Sequence, residues 1–440
     1  MNTQNWHAHA IRTAVRSVAL TGCVALVLGV TGTATAHPGS RDPGRQVLAA
    51  GDGWASAGTG TTGGAAADAA HVHTVTTWDE FRAALADGGT APRIIKVKGM
   101  IDAVSEGCDA FAAEGYDFQR YLADYDPAVW GNDKPVSGEQ EDLRAASAAR
   151  QDKAIKANVP ADTTIIGVGR NSGILGGSLQ IRGVDNVIIR NLTIEAPVDC
   201  FPQWDPTDDN GTGAWNSEYD GVVVYGSTHV WIDHNTLTDG RHPDSALPSY
   251  FGKVYQQHDG LVDVVRGGDL VTVSWNSFRD HDKTMLIGNS DSAGATDTGK
   301  LRVTLHHNRF EGIVERAPRV RFGQVDSYNN HFVVTKGQKF GYVFGIGAHS
   351  RLHATHNAFS LAPGVSTGKV LKKWSEAPLT AEHNYVNGKP TDLIAVHNAQ
   401  IPAETLQSGA GWTPTLRTRV DHPRAVPALV DHRAGAGRVR

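Results

Sequence analysis

Val303-Thr-Leu-His-His-Asn308-Arg-Phe310 is a short apolar run that ends in asparagine, then one residue, then an aromatic one. The frame recurs at Val187-Ile-Ile-Arg-Asn191-Leu-Thr-Ile194, Val230-Trp-Ile-Asp-His-Asn235-Thr-Leu237 and Val271-Thr-Val-Ser-Trp-Asn276-Ser-Phe278. It continues at Asn330-His-Phe332, His356-Asn357-Ala-Phe359 and His383-Asn384-Tyr-Val386. By subtraction the asparagines stand 44, 41, 32, 22, 27 and 27 residues apart. The shortest interval suits one turn of a solenoid, and the longer ones leave room for loops on one face. Asparagine is a common turn residue anywhere, but seven recurrences in one local frame call for a repeating corner. Asparagine tolerates the left-handed backbone that a sharp corner needs, and its amide can bond to the asparagine one coil on. The expectation is a parallel β-solenoid with an asparagine ladder.

Composition agrees. The 440 residues include 49 glycines and only 3 methionines, with 20% charged residues. That describes a turn-rich globular chain, neither disordered nor helical. The formal net charge is −5, which argues against broad nucleic-acid binding, since that needs a basic face.

The N-terminus reads as an export leader over residues 1–36. Arg12 and Arg16 precede an apolar run from Val18 to Val30, and Ala34-Thr-Ala36 offers small residues for cleavage. The run is too short for a membrane span, and no second one follows. Cys23 leaves with the leader. Cys108 and Cys200 remain, either as one disulfide of an oxidising compartment or as two separate buried thiols.

Residues 37–52 lack apolar periodicity and read as a loose mature N-terminus. Gly53-Trp-Ala-Ser-Ala-Gly-Thr-Gly-Thr-Thr-Gly-Gly64 reads by composition as a linker. Thr77 then caps a helix through Leu85, with Glu80 at capping-box spacing and Trp78, Phe81 and Leu85 on one face. A solenoid has two open ends, and this helix suits the first. Arg93-Ile-Ile-Lys-Val-Lys98 reads as a strand. Residues 103–160 form a variable excursion with a helix over 138–157, within a single solenoid domain spanning 53–440.

Two groups of residues carry chemistry. In Arg316-Ala-Pro-Arg319-Val-Arg321, strand alternation puts Val320 and Phe322 inward and Arg319 and Arg321 outward, with Arg316 in the preceding turn. Guanidinium forks match carboxylates. In His258-Asp-Gly-Leu-Val-Asp263, a straight strand would hold Asp259 and Asp263 about 13 Å apart. Sharing one cation therefore requires a bend, which Gly260 permits, and Asp220 would join from the previous coil. Oxygen donors without thiolates favour Ca²⁺ over Zn²⁺. The histidines at 306, 307, 356 and 383 sit in the repeat frame and read as stacked structural residues.

Together these features resemble the pectate lyase/pectin lyase superfamily. The resemblance is carried by Trp231-Ile-Asp-His234, Asp259-Gly-Leu-Val-Asp263, Ser274 to Asn276, His281-Asp-Lys283 and Arg316-x-Pro318-x-x-Arg321. The Trp54–Gly64 segment and Ala434-Gly-Ala-Gly437 add to it, so that it covers roughly 51–437. It implies a right-handed, single-stranded parallel β-helix and a secreted, monomeric enzyme that cleaves polygalacturonate by β-elimination, with no membrane or nucleic-acid partner. It further implies Asp220, Asp259 and Asp263 as Ca²⁺ ligands, Arg316 as the base, and Lys283 and Arg321 as holders of the substrate carboxylate. An arginine base would need positive neighbours to loosen its proton. The three aspartates favour de-esterified substrate over the methylated pectin of metal-free pectin lyases. Hydrolysis by paired carboxylates and a non-catalytic carbohydrate-binding solenoid are the remaining alternatives.

Overall fold

Each coil lays down three short strands joined by sharp corners, as in Val222–Tyr225, Thr228–Asp233 and Thr236–Thr238. Successive coils pair in parallel and build three long sheets, called here the site sheet, the covered sheet and the flank sheet in the order one coil visits them. The computed structural model describes residues 42–439; the expected leader and residues 37–41 lie outside them. The longest insertions, 103–155, 196–221 and 239–261, run from a flank strand to the next site strand and gather along one edge, whereas 288–302 joins a site strand to a covered strand.

Inward side chains stack in columns. Ile181, Val224, Val264, Ile287, Val320 and Ile346 are register partners down the site sheet, all fully buried. Phe278, Phe310, Phe332 and Phe359 stack down the flank sheet with centroids 4.7, 4.8 and 5.0 Å apart. The fold is a parallel β-helix.

The ladder departs from its sequence reading in two ways. The six asparagines 235, 276, 308, 330, 357 and 384 form it, each amide oxygen accepting from the asparagine one coil before or, at Asn235, from Leu192 N. Their own φ is not left-handed. The corner falls one residue earlier, at His234, Trp275, His307, Asn329, His356 and His383. Asn191 itself is left-handed (φ 56°) and aligns with His234, because Ile194 pairs with Leu237. It is one position out of frame and stands outside the ladder, its amide donating to Gly167 O and Gly169 O. The corner rings stack as read: Trp275 on His307 at 4.3 Å and His356 near His383 at 4.8 Å.

The expectations for the N-terminal segment are corrected. Residues 42–52 are docked, with Leu48 buried beside Ala55, Ile188 and Trp231. The glycine-rich stretch is no linker. It lies against the outer face of the covered sheet, where Trp54 N, Ala55 N and Gly64 N donate to Thr304, Thr272 and Thr164 hydroxyls at 2.9–3.0 Å. Its glycines permit this approach: a Cβ on Gly53 would stand 2.5 Å from Thr272 Oγ1. Covered-sheet strands such as Val187–Ile189 read continuously apolar because both faces are buried.

The first open end carries helix Trp78–Ala86, with Thr77 and Glu80 forming a full capping box. Trp78, Phe81, Ala84 and Leu85 join the main core. The excursion contains helix Glu139–Ile155 but ends in a true coil strand, Lys156–Asn158, paired with Ser178–Gln180. A Cys108–Cys200 disulfide ties it to the loop after the next coil.

From Trp412 the chain runs back along the solenoid as a strap. Trp412 Nε1 donates to Arg351 O, Arg417 Nε to Asp326, and Asp421 N to Asn329 Oδ1. Helix Val426–Arg433 packs Val426 and Val430 on Ala358, and Asp431 meets Arg309 and His331. Gly435, Ala436 and Gly437 then bond to Trp275 O, Thr236 Oγ1 and Asn191 Oδ1.

Candidate active site

Asp263 sits on site strand Val262–Val265, paired with Val223 of the preceding coil. Its side chain points outward, since Val262 and Val264 fill the core. Asp220 lies just before strand Val222–Tyr225, and Asp259 just before the bend that leads into Val262. Gly260 is where the first two meet. Asp220 Oδ1 accepts Gly260 N–H at 2.6 Å. A Cβ on Gly260 would stand 2.7 Å from Asp220 Oδ1 and closer still to Asp263 Oδ1. The glycine is required here to leave space for two carboxylates, and its φ is not left-handed. Asp259 Oδ1 stands 3.6 Å from Lys283 Nζ, and its charge acts on both of the other carboxylates.

The acids disturb one another. Burial, then Asp263 and Asp259, push the Asp220 carboxyl well above the usual carboxylate range. Burial and Asp259 raise Asp263, against a 3.0 Å hydrogen bond from Leu286 N. Crowded, half-buried carboxylates with no thiolate near them are a donor set that a hard divalent cation satisfies.

The tightest carboxylate–imidazole group among the described residues is a different one. Ligand atoms of Asp239, Asp244 and His258 lie within 4.8 Å of one another. His258 is engaged by the backbone there, both its ring nitrogens facing carbonyls, Pro197 O at 2.9 Å and His242 O at 2.7 Å. Neighbouring His281 bridges Asp239 Oδ1 at 2.5 Å and Asp259 O at 2.7 Å. The cluster therefore braces the backbone that carries Asp259. Sequence reading missed Asp239 and Asp244, since nothing local marks them.

The arginines stand downstream on the same face. Outward residues Leu286, Arg319, Gly345 and Lys372 are successive register partners. Arg316 lies in the turn before Arg319 with φ 59°, and its Nε donates to Glu315 Oε1 at 3.0 Å. Burial works against its charge, but Glu315, Tyr342, Asp263 and Asp259 outweigh that and raise its pKa. The positive neighbours expected to loosen its proton are thus outweighed by acids in the protein alone. Arg321 is buried, held by Asp291 and by Gly288 O. Arg319 has no carboxylate partner among the described residues. Its guanidinium lies 4.1 Å from the half-exposed ring of Trp374, a neighbour that sequence gave no reason to place there. Lys283 pairs in register with Glu315. The structure thus gathers Asp220 with Asp263, Asp259 with Lys283, and the three arginines along one face, while anchoring Arg321 more firmly than the sequence suggests.

The chain is similar to known proteins over most of its length. A family model described as pectate lyase matches residues 42–116 and 135–406. A pectate lyase of Bacillus subtilis is 42% identical over 426 residues, 94% of this chain and 98% of its own length. Pectate lyase E of Dickeya chrysanthemi is 40% identical over 71% of this chain and 68% of its own. Among solved structures, a thermostable pectate lyase superposes with TM-score 0.87 at 43% identity, over 91% of this chain and all of that one. A pectate lyase bound to a hexasaccharide gives 0.85 at 41%, with the same coverage. Sharing about two residues in five with these enzymes over most of its length, the chain belongs to the pectate lyase family.

Proposed function

We propose that the chain cleaves de-esterified polygalacturonate by calcium-assisted β-elimination, with Asp220, Asp259 and Asp263 holding Ca²⁺. The observation that carries this reading is the convergence of Asp220 and Asp263 over Gly260, on the face that also presents Arg316 and Arg321. When bound, calcium neutralises these carboxylates and supplies positive charge for the carboxylate of the sugar to be cleaved.

The remaining chemistry belongs to side chains. Lys283 and Arg321 hold the C6 carboxylate and stabilise the charge that builds on it as the α-proton leaves. Arg316, deprotonated, takes the C5 proton. The electron pair of that C–H bond becomes the C4–C5 double bond, the C4–O bond breaks, and the departing oxygen takes a proton from water. The products are a shortened chain and a 4,5-unsaturated uronide. Arg321 keeps its orientation through Gly288 O, so its fork is aimed before substrate arrives.

We also read the protein as exported and monomeric. The 1–36 leader and the Cys108–Cys200 bridge support export. Helices over both solenoid ends, Trp78–Ala86 and Leu393–Gln400, cover the edges that would otherwise pair with a second copy. Ultraviolet absorbance of unsaturated product from polygalacturonate, followed with calcium and with chelator, tests the reading. Product is expected only with calcium. Absence of product in calcium defeats the lyase mechanism, and undiminished product after exhaustive chelation removes the metal.

A further inference from the structure

A second concentration of positive charge lies away from the cleft. A cavity of about 350 Å³ is lined by Arg170, His234, His432, Arg433, Gly437 and Arg438. Arg170 belongs to the corner between strands Thr163–Gly167 and Gly173–Leu175, and His234 to the corner between Thr228–Asp233 and Thr236–Thr238. Both corners join covered strands to flank strands. The aspartates and arginines of the proposed active site instead lie where loops enter the site sheet, so the two regions occupy different edges of the solenoid.

The end of the strap builds this cavity. Gly437 N bonds to Asn191 Oδ1 at 2.7 Å, on the coil between those of Arg170 and His234. That bond fixes where Arg438 emerges, and helix Val426–Arg433 delivers His432 and Arg433 from its last turn.

No carboxylate lines the cavity. Asp233 lies behind it, but Arg190 at 2.8 Å and His234 Nδ1 at 2.8 Å already engage it. Asp431, next to His432, is turned away onto Arg309 and His331. Among the described residues, Arg170, Arg433 and Arg438 form no ion pair. In a chain of net charge −5, these three guanidinium groups around one concavity form a local anion trap. Cations at a helix C-terminus account for His432 and Arg433, but not for Arg170 and Arg438, which come from other segments.

We propose that this cavity is a second, non-catalytic binding site for carboxylates of a polyuronate chain. The proposal rests on polygalacturonate being the substrate. The walls are polar and basic, which suits anions and not acyl chains. The volume is near the lower limit for small-ligand sites, room for a sugar unit or two. Guanidinium forks match carboxylates in pairs. A polymer longer than the cleft carries a carboxylate on every sugar, so a free stretch can engage this edge while another lies in the cleft. Linked binding of that kind raises apparent affinity for polymer without touching the chemistry.

The test compares the mature parent with Arg170→Ala/Arg433→Ala/Arg438→Ala on immobilised polygalacturonate in chelator, where retention is read without turnover. The parent is expected to be retained at low salt and released as salt rises. The variant should be retained about tenfold less, from the loss of three exposed ion pairs. With calcium, cleavage of a short oligogalacturonide should be equal in the two proteins, while apparent KM for polymer rises in the variant at unchanged kcat. A single Arg433→Glu variant should repeat the loss of retention if the triple variant folds poorly. Equal retention of parent and variants overturns the proposal. Release of the parent by millimolar inorganic phosphate, but not by oligogalacturonide, makes this a phosphate site and also overturns it. A parent that is retained yet yields no unsaturated product with calcium counts against the lyase mechanism alone.

Discussion

Arg316 is the residue on which the chemistry turns, and its surroundings make it a demanding base. Glu315, Tyr342 and the aspartates favour its proton, so the deprotonated form should become available only as pH rises. Activity is expected to climb well into alkaline pH, and a maximum near pH 5 would remove Arg316 from the role. Arg316→Lys should lower kcat about 10²- to 10⁴-fold, the usual contribution of a placed base, and a variant with full rate would point to another group. Gly260 offers a sharper probe of metal binding. A methyl group there must displace Asp220 or Asp263, so Gly260→Ala should weaken calcium binding in calorimetry about tenfold or more. Parental affinity would mean that the cation is not held over this residue. These positions were legible because their residue types are rare together: three arginines and a proline within six residues, and aspartates four apart across a glycine. Asp239, His258 and Trp374 were not, because their meaning depends on contacts across coils.

At the scale of one element, the ladder explains why asparagine recurs even though the left-handed corner lies one residue before it. Asn330 Oδ1 accepts from Asn308 N and Nδ2, and its own amide donates to Leu305 O, Ser327 Oγ and Asn357 Oδ1. Asn330→Ala strands several buried groups at once and should cost about 3 kcal/mol in denaturant unfolding. A loss below about 1 kcal/mol would show that water replaces the amide. The sequence displayed the repeat because stacked positions must be chemically alike. It hid the frame slip at Asn191, where an asparagine one residue out of register serves a different purpose. The glycine-rich segment misled for a related reason: close approach to a sheet and chain flexibility select the same residue.

Over the whole molecule, the strap joins regions that the coil order keeps apart. His307, stacked on Trp275, faces His306, Asp421 of the strap and, through space, Arg419. Burial and His306 hold its pKa below the ordinary 6.5, against the pull of Asp421. His356 is likewise lowered to about 4, by burial and His383. The unfolded chain therefore takes up more protons than the folded one as pH falls below 6.5, and stability drops with it. Melting temperature should fall between pH 7 and pH 4, and by less in His307→Gln. An unchanged slope in that variant would assign the loss to other groups.

Solenoids whose coils touch only their neighbours unfold piecemeal, like a zipper opening from either end. Here the segment from Trp412 to Gly437 ties Arg351 and Asp326 to Trp275, Thr236 and Asn191. A coil between Asn191 and Arg351 cannot open without also releasing the strap, so local opening there is converted into an all-or-none event. The full chain should unfold in one calorimetric transition, and a chain ending at residue 411 in two or more. A single transition in the shortened chain would show that the coils are cooperative by themselves.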